Sequence, residues 1–194
     1  MTNEATTRAF WKWFESVAGH FGPQFENETL VRELDTRINA LGGFAWEIGP
    51  GRREASMLAI SPGGDPDILA ETRNIVACAP KIPGWEFHAA KPPKQWQPIF
   101  DIQDESGLPF RVNATDWKAV FLTRPNMAST LIIEAPGLQG LSHEHQQWAA
   151  EIAVDGLIGE ERRIEDIGSI LVVQKFDPRI KHRSVPITEI STLL

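Results

Sequence analysis

The chain opens with apolar residues at helical spacing and then switches to alternation. Phe10, Trp11, Phe14, Val17, Ala18 and Phe21 fall at i, i+1, i+4, i+7, i+8 and i+11, one stripe at the 3.6-residue period, which predicts a helix over 7–20. Trp13 lies off that stripe, and Gly22-Pro23 stops the helix. A second helix is predicted over 27–41. Asn27 caps it, Glu28 stands in its first turn, and Leu30, Val31, Leu34, Ile38 and Leu41 share a face before Gly42-Gly43 ends it. Two amphipathic helices joined by a short loop predict a helical hairpin over about 7–42.

The period then changes. Phe44, Trp46 and Ile48 alternate with other residues, Gly49-Pro50-Gly51 turns the chain, and Glu54 to Ser61 reads as the returning strand. Asp65-Pro66 places an acidic cap before a proline at the first helical position. Ile68, Leu69, Ile75, Val76 and Ala79 give the stripe of that helix, and Pro80 closes it. Trp85-Glu86-Phe87-His88-Ala89 alternates as a strand should. The stretch from Lys91 to Pro109 carries prolines at 92, 93, 98 and 109, is the least regular of the chain, and is the best place to divide it in two. Phe100-Asp101-Ile102 within it is a candidate short strand.

Beyond that stretch, Phe110-Arg111-Val112 and then Trp117 to Thr123 read as strand, Arg124-Pro125-Asn126 as a turn, and Thr130 to Glu134 as a strongly β-prone run. Ser142 caps a helix expected to carry Trp148, Ala149 and Ile152 on one face and to fade near Gly156 or Gly159. A helical turn is expected around 160–166. Ser169 to Phe176 looks like a strand buried on both faces, and 187–194 like a last helical turn.

Strand, strand, helix, strand thus occurs twice, over about 44–91 and about 110–176. The expectation is an α+β fold: one mixed sheet built from two ββαβ halves as an internal structural duplication. Right-handed crossovers would put the helices on one face, with the N-terminal helical hairpin packed alongside. If the halves pair, they share one core, and residues 1–194 form a single domain.

Composition narrows the classes. In 194 residues, 42% are hydrophobic and 23% charged, with a formal charge of −7, the profile of an ordinary globular chain. The acidic balance leads us to expect no nucleic acid as partner. The one basic stretch, Lys175, Arg179, Lys181, His182 and Arg183, reads more simply as a solvated tail. A single cysteine, Cys78, forbids an internal disulfide and cysteine-based zinc sites. Its apolar neighbours Ile75, Val76, Ala77 and Ala79 assign it a buried, inert role. Seven tryptophans and ten phenylalanines without one tyrosine put aromatic bulk to use in burial and exclude phenolic chemistry. The opening residues lack the basic-then-apolar order of a signal peptide, and no apolar run approaches the ~18 residues of a membrane span. The expected compartment is the cytoplasm, with no membrane association.

Three segments carry a family resemblance: Phe10-Trp11-Lys12-Trp13-Phe14, the strand pair of Phe44 to Pro50 with Glu54 to Ser61, and Ala79-Pro80-Lys81-Ile82-Pro83-Gly84-Trp85-Glu86-Phe87. They resemble a family of uncharacterised bacterial proteins, and Leu157-Ile158-Gly159-Glu160 is reminiscent of it too. The resemblance implies an α+β bacterial protein and brings no activity, cofactor or catalytic residue with it. The shared segments are mostly apolar with Gly and Pro, as structural signatures are.

Among the polar residues, His143-Glu144-His145 is the most tempting constellation. Helical metal sites place histidines at i and i+4, whereas i and i+2 point the rings about 200° apart. A metal site is therefore not expected, and the bland reading is an exposed first turn. No GxSxG elbow occurs, and Ser61, Ser106, Ser129, Ser142 and Ser169 stand beside turn or cap signals that account for them. Gly49-Pro50-Gly51 and Pro62-Gly63-Gly64 match no phosphate-binding pattern. Asp155, Glu160, Glu161, Glu165 and Asp166 with Arg162 and Arg163 read as a solvated helix face. Trp13 and Trp96, off the core pattern, are the candidate interaction residues, each with an alternative role inside its own element.

The reading favoured by the sequence is a non-catalytic cytoplasmic accessory or protein-interaction domain, without cofactor and with a protein partner. The alternative is a small enzyme or ligand-binding protein with a cleft near His143, Glu144 and His145. Oligomeric state is not readable from the pattern.

Overall fold

The two N-terminal stripes become helices α1 (Glu4–Val17), continued by a 3-10 turn at Ala18–His20, and α2 (Glu28–Gly42). Asn3 caps α1 by accepting from the Ala5 N–H at 2.9 Å, and Asn27 caps α2 by accepting from that of Leu30 at 3.3 Å. In a computed structural model of the chain, residues 3–124 and 127–194 are described. Pro125 and Asn126 of the expected turn lie outside the described residues.

Strands β1 (Ala45–Pro50) and β2 (Ser56–Ser61) pair antiparallel, with Trp46 opposite Ile60 and Ile48 opposite Leu58. The turn between them closes tightly on Gly51, where a Cβ would stand 2.5 Å from the Glu54 carbonyl oxygen. Helix α3 (Pro66–Ala77) carries the chain across to β3 (Trp85–His88), which runs parallel to β2, so the strand order is β1-β2-β3. Phe10, Trp11, Phe14, Phe21, Leu34, Ile38, Leu58, Ile60 and Ile75 form the buried cluster of this unit. Phe14, fully buried, meets Trp85 edge-on with ring centroids 4.9 Å apart. The Trp11 indole N–H donates to the Ile75 carbonyl at 2.8 Å and ties α1 to the end of α3.

The second unit begins with a two-stranded antiparallel ribbon, β4 (Ile99–Gln103) and β5 (Pro109–Asn113). Strands β6 (Lys118–Arg124) and β7 (Met127–Glu134) follow, antiparallel, then helices α4 (His143–Ile158) and α5 (Glu160–Asp166). Strand β8 (Ser169–Val173) lies parallel to β7. A short helix α6 (Pro178–Lys181), the two-residue strand β9 (Val185–Pro186) and a 3-10 turn at Ile187–Thr192 complete it. The strand order is β8-β7-β6-β9. Trp117, Leu131, Ile133, Ala149, Ala153, Val154 and Ile187 lie at its core, joined by Ile102 and Val112 of the ribbon.

The chain is therefore α+β with an N-terminal helical hairpin, and ββαβ does occur twice. In each case an antiparallel pair is followed by a helix and a parallel third strand, with the antiparallel pair's second strand in the middle. The expected common sheet does not form. The strands of the two series lie in different sheets, with different buried clusters, and the chain divides into compact units Met1–Lys91 and Pro92–Leu194. Each series satisfies its own apolar face locally, the first with the helical hairpin and the second with the ribbon and α4, so neither needs the other's strands. The division falls where the irregular proline-bearing stretch begins.

Two local expectations are also corrected. Helix α4 buries Ala149, Ala150, Ala153 and Val154, while Trp148 is 45% exposed. Small residues let the helix lie close on the sheet, and this sets its rotation; the bulk of Trp148 is turned outward. Strand β8 ends at Val173 and is not buried on both faces: Leu171 is 44% exposed. On that second face Val173 packs against the small cluster of Val120, Ile132 and Phe176, which Leu122 and Ile180 also flank.

Candidate functional site

The polar residues that converge in the second unit do so where the β4–β5 turn meets the start of α4. Asp104 accepts from the N–H groups of Ser106 and Leu108 at 2.8 and 2.9 Å, which shapes the turn. The turn presents Glu105, whose Oε1 accepts the backbone N–H of Ser142 and stands 3.3 Å from His145 Nδ1. Ser142 is the N-cap of α4: its Oγ accepts from the His145 N–H at 3.3 Å and lies 3.0 Å from His145 Nδ1. The Ser142 hydroxyl, the N–H groups of Glu105 and Ser142, and the attraction of His145 hold Glu105 at about 2 against a small opposing effect of desolvation.

Chemically, this is a helix cap. A nucleophilic relay needs the serine on one imidazole nitrogen and the carboxylate on the other. Here both oxygens address Nδ1, and Glu105 is committed to the Ser142 N–H at the helix end, where the dipole also favours a negative charge. Of His143, Glu144 and His145, singled out in the sequence, His143 and Glu144 are exposed and His145 is the one placed in the cluster. Among the described residues no group of three His, Cys, Asp or Glu side chains is placed to hold a metal ion. His88 is engaged with Glu86, and His20 and His182 are exposed.

Beside the cap, Trp148 presents its ring edge-on to His145 with centroids 6.0 Å apart. With Leu108 of the β4–β5 turn, 62% exposed, and Leu171, it is one of the exposed large apolar side chains. Sequence reasoning missed Trp148 because its spacing with Ala149 and Ile152 fits a buried stripe. The run of alanines at 149, 150 and 153 was the signal that a different face packs.

Trp13 and Trp96 are engaged within their own units. Trp13 is half-buried, and the Arg37 guanidinium from α2 lies 4.5 Å over its ring while also binding Glu33. Trp96 packs against α4 at Gly156: a Cβ there would stand 2.3 Å from its ring. It stacks on Phe100 at 5.5 Å, and the neighbouring Lys94 N–H donates to the Gly156 carbonyl at 2.7 Å. Each tryptophan thus fastens a segment of its own unit.

In the first unit the segment Ala79 to Phe87 walls an open groove of about 480 Å³. Val76, Pro80, Ile82, Trp85 and Phe87 make it apolar, with Glu54 and Lys81 as its charged residues. It holds no histidine, serine or cysteine. On the opposite side of β3, by strand alternation, stands Glu86, 7% exposed. It accepts from the Arg52 N–H at 2.7 Å and the Arg53 N–H at 3.0 Å, and His88 Nε2 lies 3.1 Å away. Desolvation pushes its pKa up, but the bonds from Arg52, His88 and Arg53 and the attraction of His88 together bring it down to about 2. A buried carboxylate spent on two turn amides positions the β1–β2 turn.

Two further expectations are corrected. Cys78 is exposed, because it sits at the C-cap of α3 where the helix has turned its apolar stripe away. The charged run at 155–166 is only partly solvated. Glu160 is 1% exposed, and Arg163 forms a largely buried ion pair with Asp155. The basic side chains Lys175, Arg179, Lys181, His182 and Arg183 are exposed, but the stretch is no free tail: Phe176 within it is buried and Ile180 packs against the same cluster. No helix among the described residues is long and apolar enough to cross a membrane. Comparison with protein-family models, with curated proteins and with solved structures gives no match.

Proposed function

We propose that the chain is a non-catalytic accessory protein that acts by binding another protein. The observation that carries this reading is the wiring of the Ser142–His145–Glu105 cluster as a helix cap with an exposed tryptophan beside it. Tryptophan anchors protein interfaces because it offers large area at small entropic cost. Trp148, with Leu108, therefore takes the role that the sequence assigned to Trp13 and Trp96. The reading keeps the cytoplasm as compartment and calls on no cofactor, nucleic acid or membrane. The bacterial family resemblance stands beside it, and the recurrence of ββαβ supports descent from a doubled unit.

The test compares the whole chain with its Trp148→Ala, Ser142→Ala and His145→Ala variants. Affinity purification from cells that express the chain naturally should return one stoichiometric protein with the wild type, lost on Trp148→Ala while the melting temperature is kept. Ester, amide and phosphoester substrates should not be turned over by any of the four. Turnover abolished by His145→Ala would overturn the reading in favour of an enzyme at this cluster.

A further inference from the structure

Among the described residues, strand β8 has a neighbouring strand on one side only, β7. The Val173 carbonyl accepts from the Ala135 N–H at 3.1 Å, with Val173 in register with Glu134. In a parallel ladder a residue's N–H and C=O point to the same side, and the side alternates. Leu171 and Val173 therefore bond to β7, while the N–H and C=O of Ile170 and Val172 point outward. Natural sheets protect such edges with charge, proline, bulges or brevity. The other edges follow this rule: β9 has two residues, one a proline, β1 carries Glu47 and Pro50, β3 carries Glu86 and His88, β4 carries Asp101, and β5 carries Pro109 and Arg111. The β8 sequence Ser-Ile-Leu-Val-Val has none of these devices.

We propose that β8 is a dimerisation edge that pairs antiparallel with β8 of a second copy of this chain, about a two-fold axis through Leu171. On that axis Ile170 of each copy stands opposite Val172 of the other, and the two pairs exchange both their N–H···O bonds, four in all. Leu171 faces its own copy as a non-hydrogen-bonded pair, the closer of the two antiparallel spacings, and the exposed leucines cover each other. Charge selects the direction. Before β8, α5 presents the acids Glu161, Glu165 and Asp166 against Arg162, Glu160 being buried and Arg163 paired with Asp155. After it, Lys175, Arg179, Lys181 and Arg183 stand against Asp177. An antiparallel copy brings the acidic end to the basic end, and a parallel one would bring like to like. The proposal goes beyond the partner-binding reading and makes no use of Trp148.

The experiment uses the full chain in sedimentation velocity over a concentration series, with amide hydrogen exchange at both ends of that series. The expected result is a mass that doubles with concentration. The amides of Ile170 and Val172 slow in the dimer, while that of Leu171 is slow throughout. Leu171→Lys, at an exposed position, should remove the dimer and leave the monomer's circular dichroism unchanged. Val172→Pro, which deletes an outward N–H, should also remove the dimer. A monomer at every concentration, a dimer that survives Leu171→Lys with Ile170 and Val172 exchanging fast, or protection of those amides only when a different protein is added would each overturn the proposal. None of these outcomes bears on partner loss through Trp148→Ala.

Discussion

Glu86 allows the stability of the first unit to be followed through a single proton. Its folded pKa of about 2 lies below the ordinary glutamate value of 4.5. At 7% exposure, water does little to screen the bonds responsible. The difference between those two values corresponds to about 3 kcal/mol. A depressed folded pKa means that this stabilisation is complete above the unfolded value and fades as pH falls from about 4.5 toward about 2. About 2 kcal/mol of it is lost between pH 7 and pH 3. Glu86→Gln keeps the shape of the side chain and removes the charge that the Arg52 and Arg53 amides address. The variant should be less stable than wild type by about 2–3 kcal/mol at pH 7, and the gap should shrink by about 2 kcal/mol by pH 3. Urea unfolding followed by fluorescence measures this, since Trp11, Trp13, Trp46 and Trp85 all lie in the first unit. Taking the difference between the two proteins cancels the other acidic groups. A gap that is constant with pH, or no gap at pH 7, would refute the account of Glu86 as a charged clamp on the β1–β2 turn.

Other perturbations probe other joints. Gly156→Ala should destabilise the second unit by about 1–3 kcal/mol through overpacking against Trp96. In a Trp96→Ala background the same change should stabilise by about 1 kcal/mol through helix propensity. Denaturation of the four proteins gives that sign reversal or denies it. Ser142→Ala should cost about 1 kcal/mol as a lost N-cap, measured by thermal unfolding. Trp117→Ala should cost about 3–5 kcal/mol, because Trp117 is buried and its indole donates to the Pro136 carbonyl; Trp148→Ala should change stability by no more than about 0.5 kcal/mol. Cys78, exposed at the end of α3, should react with a thiol reagent in the native state as fully as in denaturant.

Element type was legible wherever a residue's neighbours along the chain decide its environment. The stripe of Phe10, Trp11, Phe14 and Phe21, the caps Asn27, Asp65 and Ser142, and the alternation at Trp46 and Ile48 are local signals, and each marks the element it announced. The order strand-strand-helix-strand, twice, follows from the same signals. The candidate site was legible only in part. Ser142 and His145 belong to one cap, but Glu105 reaches them from a turn 37 residues earlier, and nothing local marks that approach.

Sequence alone determined the local periods, the caps and the breaks, because propensity and capping act over a single turn or strand. Only the tertiary structure decided which strands share a sheet, which side of α4 is buried and that Glu86 closes on the 52–53 amides. Alanines packing close on a sheet, and a carboxylate losing its water to two backbone N–H groups, depend on atoms far apart in the chain. Their free energies exist only once those atoms have met.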